Sequence, residues 1–380
     1  MIPYARHSLD EDDIQSVLGV LKSDFLTQGP SVTAFESSFA NYCGAKYAVA
    51  VSSGTAALHI AVQALDCPKE SEVITSPITF VATSNAALYN DLVPVFSDIN
   101  PDTICLDPNH LDEVISPNSK VIIPVHFAGQ PCDMVAIKAF ADKHNLYVIE
   151  DACHALGGTY KGAPIGNCTY SDMSVFSLHP AKSIAAGEGG VITTNDKGLY
   201  DTLIRLRSHG ITKAPDLLTQ NPGPWYYEMH DLGYNYRLTD IQSALASSQL
   251  SKLDRFVTRR REIKDMYNNA FSDQPYVSPL VELEPNSSAW HLYVLRIDFD
   301  KLGKSRKTVM EELVALGIGS QVHYIPVPSQ PYYVKNNNSR SGDVPQSMDF
   351  YNQALSIPMF PSLTEIEINT VIAAVKSVIA

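Results

Sequence analysis

A chain of 380 residues exceeds the size at which a single hydrophobic core stops growing, so two packed lobes are expected. Hydrophobic residues make up 45% and charged residues 18%, which excludes a disordered or fibrous chain and describes an ordinary globular one. The formal net charge of −13, with no basic run beyond Arg259–Arg261, argues against nucleic-acid binding, and those three arginines read as a solvated helix face.

Other classes fall away in the same fashion. The start, MIPYARHSLDEDDI, carries neither an apolar targeting region nor a cleavage signal, and no window holds the roughly eighteen apolar residues of a spanning helix. A cytoplasmic protein without membrane contact is the expectation. The six cysteines form no CxxC pair and read as reduced and mostly buried, and no close His or Cys ligand spacing supports a metal.

In chain order, Ser8 reads as the N-cap of a helix over Leu9–Leu21, with Asp10, Glu11 and Asp12 in its first turn. The Gly29-Pro30 loop then opens a helix over Val32–Tyr42. Strands are expected at Tyr47–Val51, Glu72–Thr75, Val93–Ser97, Lys120–His126 and Tyr147–Glu150, with helices at Thr55–Leu65, Phe80–Tyr89 and Met134–His144 between them. Such alternation specifies an α/β fold with a mostly parallel sheet covered on both faces, and ligands then bind beyond the carboxyl ends of its strands. Leu238–Phe271 is helical with room for one break. A strand at Ala289–Ile297, a helix at Arg306–Leu316, a strand at Ser320–Tyr324 and a helix at Leu363–Ile379 follow, with a mobile loop at Asn336–Ser339. The division expected is a large domain over 1–240, then a bridging helix and a smaller α+β domain over 241–380.

Three strand ends carry chemistry. Val51-Ser52-Ser53-Gly54-Thr55 turns from a strand into a helix, which converges N–H groups and the helix dipole on a point that suits phosphate. It lacks the GxxxxGK[ST] pattern of a nucleotide triphosphate loop. Asp151 follows an apolar strand directly, where a carboxylate needs a cationic partner such as a protonated pyridine nitrogen, although an N-cap or a local ion pair would also satisfy it. Lys182 sits between an apolar run closing at Ser177 and the Gly-rich turn Gly187–Gly190 that leads into Val191–Thr194. A phosphate turn, a strand-end acid and a strand-end lysine in this order are what Schiff-base chemistry with pyridoxal phosphate requires.

Five separated motifs, SSGTAAL at 52–58, SPITFVAT at 76–83, EDACHALGG at 150–158, SLHPAK with GEGG within 177–190 and GYNYRLTD at 233–240, resemble the nucleotide-sugar aminotransferases. These are pyridoxal-phosphate enzymes of fold type I, the aspartate-aminotransferase-like fold. The resemblance implies Lys182 as the Schiff-base lysine, Asp151 as partner of the pyridine nitrogen, and Phe80 and His154 against the cofactor ring. Gly54, Thr55 and Ser177 would hold the phosphate with Asn235 of a second subunit, making a homodimer with a shared site. IPYARHSLDEDDI, LTQGP and SQVHYIPV further resemble the branch serving pseudaminic acid synthesis, which aminates C4 of a UDP-linked 2-acetamido-2,6-dideoxy-4-keto-hexose. That branch implies sugar-nucleotide contacts from Tyr4, Leu26, Thr27, Gln28, Gly29, His323 and Tyr324, though Tyr4, His323 and Tyr324 also read as plain packing residues.

L-glutamate would be the amino donor, with pyridoxamine phosphate carrying the amino group into the second half-reaction. Family members that dehydrate sugars carry histidine at the lysine position, and Lys182 therefore favours transamination. Two alternatives stay open: an aminotransferase for another nucleotide-linked keto sugar, such as a dTDP-4-keto-6-deoxyhexose, and a catalytically silent cofactor-binding regulator.

Overall fold

The structure, a computed structural model, describes residues 1–336 and 339–380. Its centre is an eight-stranded sheet built from β1 (Tyr47–Val51), β2 (Glu72–Thr75), β3 (Val93–Phe96), β4 (Ser119–Ile123), β5 (Tyr147–Asp151), β6 (Met173–Ser177), β7 (Gly190–Thr194) and the short Arg340–Ser341. The spatial order is β1-β7-β6-β5-β4-β2-β3, with Arg340–Ser341 on the outer edge beside β3. Only β7 runs against its neighbours, pairing antiparallel with both β1 and β6.

The period of two along each strand divides the residues between two cores. Val49, Val51, Val73, Val121, Ile123, Ile149, Val175 and Ile192 pack on one face with helix Gly54–Gln63, while Ala48, Ala50, Ile74, Ile122, Val148, Phe176 and Val191 face the other. Because both faces are buried, these strands read as continuous apolar runs. A separate core lies under the antiparallel strands Val277–Pro279, Tyr293–Ile297 and Ala354–Ile357, packed with helices Leu253–Phe271, Arg306–Ala315 and Glu365–Val378.

Several expectations need correcting. The first helix spans Glu11–Leu21 and is capped by Asp10, whose side chain and that of Asp13 form a reciprocal box; Ser8 lies outside it. The helical stretch 238–271 does contain the break allowed for it, falling into Asp240–Leu250 and Leu253–Phe271. Ser320–Tyr324 forms no strand and contributes only an isolated bridge from Gln321 to Ser356. The strand expected from Ala289 begins at Tyr293, because Ala289 and His291 donate their N–H groups to Gly129 and Ala128 instead. Arg260 is not on a solvated face: it is 1% exposed and donates to the carbonyls of Trp290, His291 and Met359. The loop expected at 336–339 lies partly outside the described residues.

Asp240 ties the N-terminal region to the body of the protein. Its buried carboxylate accepts from the N–H groups of Gly29 (2.8 Å) and Ser31 (2.9 Å). Asp240→Ala leaves both donors without an acceptor and is expected to cost about 1–3 kcal/mol in denaturant unfolding.

Candidate active site

The carboxyl ends of β1, β5 and β6 open into one cavity of about 610 Å³, whose lining includes Tyr4, Gly54, Thr55, Phe80, Asp151, His154, Ser177, Lys182, His323 and Tyr324. Residues 26–29 and Asn235 do not reach it within one chain. Gln28 and Gly29 border a second cleft with Arg207 and Arg237, and Asn235 is exposed.

The floor of the cavity is the turn after β1. Ser53 caps helix Gly54–Gln63 by accepting from Ala56, so the first-turn N–H groups of Gly54 and Thr55 have no helical acceptor. The strand beside it presses close: a Cβ on Gly54 would fall 2.9 Å from Ser177 Cβ, and one on Gly190 would fall 2.3 Å from the Ser53 carbonyl oxygen. Both glycines are therefore needed to bring β1, β6 and β7 together around this turn.

Asp151 closes β5 as a buried carboxylate. Thr83 Oγ1 donates to its Oδ2 at 2.7 Å, and the Cys153 N–H donates to Oδ1 at 3.1 Å. Since the Thr83 hydrogen goes to the carboxylate, the 2.7 Å contact between Thr79 and Thr83 is a bond in which Thr79 donates. Among the described residues Asp151 forms no salt bridge. A buried anion held in place by neutral donors and facing a cavity fits a cationic ring nitrogen.

Lys182 stands on the loop between β6 and β7. His179 shapes this loop: its carbonyl accepts the Lys182 N–H at 2.8 Å and its Nδ1 accepts from Ala181 at 3.3 Å. Burial lowers the Lys182 pKa, while Cys153 and Asp151 pull it back upward. The lysine thus stays below its ordinary value, as a general base near neutrality must.

Aromatic groups close the other sides. The N-terminal arm runs beside Ile318, with the Ile2 N–H donating to Gly317, and this carries Tyr4 to within 5.6 Å of the His323 ring. Tyr324 lies 6.4 Å from Phe80, and its hydroxyl is 3.2 Å from His154 Nε2. Sequence reasoning missed His291, whose ring lies 4.4 Å from that of His154 and whose buried Nδ1 has no partner among the described residues. Its only signal was a polar residue interrupting the apolar run before Tyr293–Ile297. Burial depresses the pKa of His323 to about 3 and those of His154 and His291 well below the usual imidazole range, so all three are neutral.

The glycine-lined turn, the unpaired buried acid and the low-pKa lysine fit pyridoxal phosphate in phosphate, ring and carbonyl respectively. The profile of the DegT/DnrJ/EryC1/StrS aminotransferase family matches residues 7–376. The spore coat polysaccharide biosynthesis protein SpsC of Bacillus subtilis is 41% identical over 100% of this chain and 97% of its own. Among solved structures, Helicobacter pylori PseC, an aminotransferase of pseudaminic acid biosynthesis, superposes with a TM-score of 0.92 at 32% identity, covering 100% of this chain and 99% of its own. The putative sugar aminotransferase Spr1654 of Streptococcus pneumoniae, in its pyridoxamine-phosphate form, gives 0.91 at 29% identity, covering 100% and 99%.

Proposed function

We propose, for a chain that belongs to the DegT/DnrJ/EryC1/StrS aminotransferase family and is thus a pyridoxal-phosphate-dependent sugar aminotransferase, a reaction that moves the amino group of L-glutamate to C4 of a UDP-linked 2-acetamido-2,6-dideoxy-4-keto-hexose. The observation that carries this substrate is the likeness to PseC along the entire chain. The N-terminal arm that brings Tyr4 to the cavity and the His323-Tyr324 pair opposite it give a sugar polar and aromatic surfaces to lie against.

The bound cofactor supplies an electron sink for the pair left when a C–H bond beside nitrogen is broken. The chain supplies the rest. Gly54, Thr55 and Ser177 would hold the phosphate by N–H and hydroxyl groups, and Asp151 would keep the ring nitrogen protonated. Phe80 and His154 would pack against the ring. Lys182 would anchor the cofactor between turnovers. Once released, its amine takes the proton from Cα of the amino donor and later delivers one to C4 of the sugar.

In this reading the protein works as a homodimer. Asn235 of the second subunit completes the phosphate site, and the loop Leu26, Thr27, Gln28 and Gly29 extends the sugar-nucleotide surface. Exposed apolar residues near Asn235 support an interface there: Trp225, Met229 and Leu232 are 70%, 62% and 73% exposed.

A second reading, another nucleotide-linked keto sugar such as a dTDP-4-keto-6-deoxyhexose, stays open because the chain is more similar to SpsC, a spore coat polysaccharide biosynthesis protein, at 41% identity than to PseC at 32%. The enzyme in its pyridoxamine-phosphate form, mixed with each keto sugar in turn, separates the two by product mass. The UDP-linked acetamido sugar is expected to convert fastest, and a preference for the dTDP sugar would overturn the first reading.

A further inference from the structure

Two hydrogen bonds on one imidazole fix where its proton sits. The Ala128 N–H donates to His154 Nδ1 at 3.3 Å. A backbone N–H can only donate, so Nδ1 presents a lone pair and the neutral ring carries its hydrogen on Nε2, 3.2 Å from Tyr324 Oη. Ala128 cannot readily turn its N–H away. It sits at a φ of 55°, and its carbonyl accepts from His291 at 2.9 Å and Leu292 at 3.4 Å.

Among the groups around His154 are Lys182, His291, His323 and Tyr324, none of which is an anion at neutral pH. Asp151, on the strand before it, is already engaged by Thr83 and Cys153. Burial, followed by the positive charge of Lys182, keeps the ring neutral. Tyr324 Oη accepts the Nε2 hydrogen, and burial keeps the phenol itself protonated. Its own hydrogen has no protein acceptor among the described residues, and Tyr324 lines the cavity.

We propose that the chain Ala128–His154–Tyr324 commits the Tyr324 hydroxyl to accept from His154 and leaves its hydrogen to be donated into the cavity, to an acceptor oxygen of the substrate's sugar, with His154 as its positioning residue and neither acid nor base. This rests on the nucleotide-sugar reading above. A hydroxyl whose hydrogen faces the cavity receives carbonyl, ether or hydroxyl oxygen, and an ammonium offers that hydrogen no acceptor, so the contact favours the keto sugar over its aminated product.

The test begins with the holoenzyme carrying nitrogen-labelled histidine, with the His154 resonances assigned by their loss in His154→Gln. Long-range nitrogen–proton NMR is expected to show an Nε2–H ring that does not titrate across the ordinary histidine range. An Nδ1–H ring, or an imidazolium appearing in that range, would overturn the proposal. In parallel, Tyr324→Phe is expected to lower kcat/KM for the keto sugar about tenfold to a hundredfold. Unchanged sugar kinetics with an altered resting absorbance would put the donated hydrogen on the cofactor and overturn the assignment to the sugar. If the holoenzyme turns over no nucleotide sugar, the functional reading fails, and the nitrogen spectrum still decides the tautomer.

Discussion

Lys182→Ala is expected to slow turnover about ten thousandfold or more while leaving the fold intact. The side-chain amine of Lys182 makes no salt bridge or hydrogen bond among the described residues, so its removal breaks no structural contact. The loop's shape comes from the backbone of Lys182 and from His179, both of which survive in the variant. Single-turnover kinetics with glutamate, read by the cofactor's absorbance, would measure the loss, and a native rate would end the assignment. The wild-type pH profile carries a second signature. An amine whose pKa burial has lowered becomes a free base at lower pH than an exposed lysine. The rising limb of the glutamate half-reaction should therefore lie on the acid side of the ordinary lysine range.

Asp151→Asn keeps the shape of the residue and removes its charge. The Cys153 N–H can still donate to the amide oxygen, while the amide nitrogen meets either the Thr83 hydroxyl or the ring nitrogen as a donor. An unprotonated ring is a poorer electron sink, and loss of such a preorganised electrostatic contact costs about a hundredfold to a thousandfold in rate. The expected result is that loss in kcat, together with an altered cofactor spectrum and an unfolding midpoint close to that of the wild type. Equal rates for variant and parent would show that Asp151 does not face the ring.

The strands of the main sheet were legible because both of their faces are buried, which writes them as uninterrupted runs such as Val73-Ile74 and Val148-Ile149. The position of Asp151 was legible for a related reason, since a polar residue directly after such a run in a parallel sheet lies at the ligand-binding edge, and that of Lys182 because its loop joins two such runs at the same edge. What the sequence hid depends on contacts between distant segments. Arg260 sits in a run of three arginines, and only the carbonyls of residues 290, 291 and 359 make its burial tolerable. His291 enters the cavity because its backbone pairs with Ala128, a partner no local pattern announces. Ser320–Tyr324 alternates like a strand, yet it lies at the rim of the site with a single bridge to Ser356. Asn235 and the loop 26–29 are a different case, since one chain alone does not bring them to the cavity.

The reversed strand β7 has a mechanical meaning. By running back beside β6 it pins Ser177 opposite Gly190, and the Leu178 N–H then closes onto Gly189 at 2.8 Å, so the loop bearing Lys182 is clamped at its neck. The backbone of the lysine is in effect a fixed pivot, and the arc its amine can sweep is set by its own four methylenes. For the base proposed above to serve both half-reactions, a short tether on a mount clamped in this way would reach the two carbons by side-chain rotation, at little entropic cost.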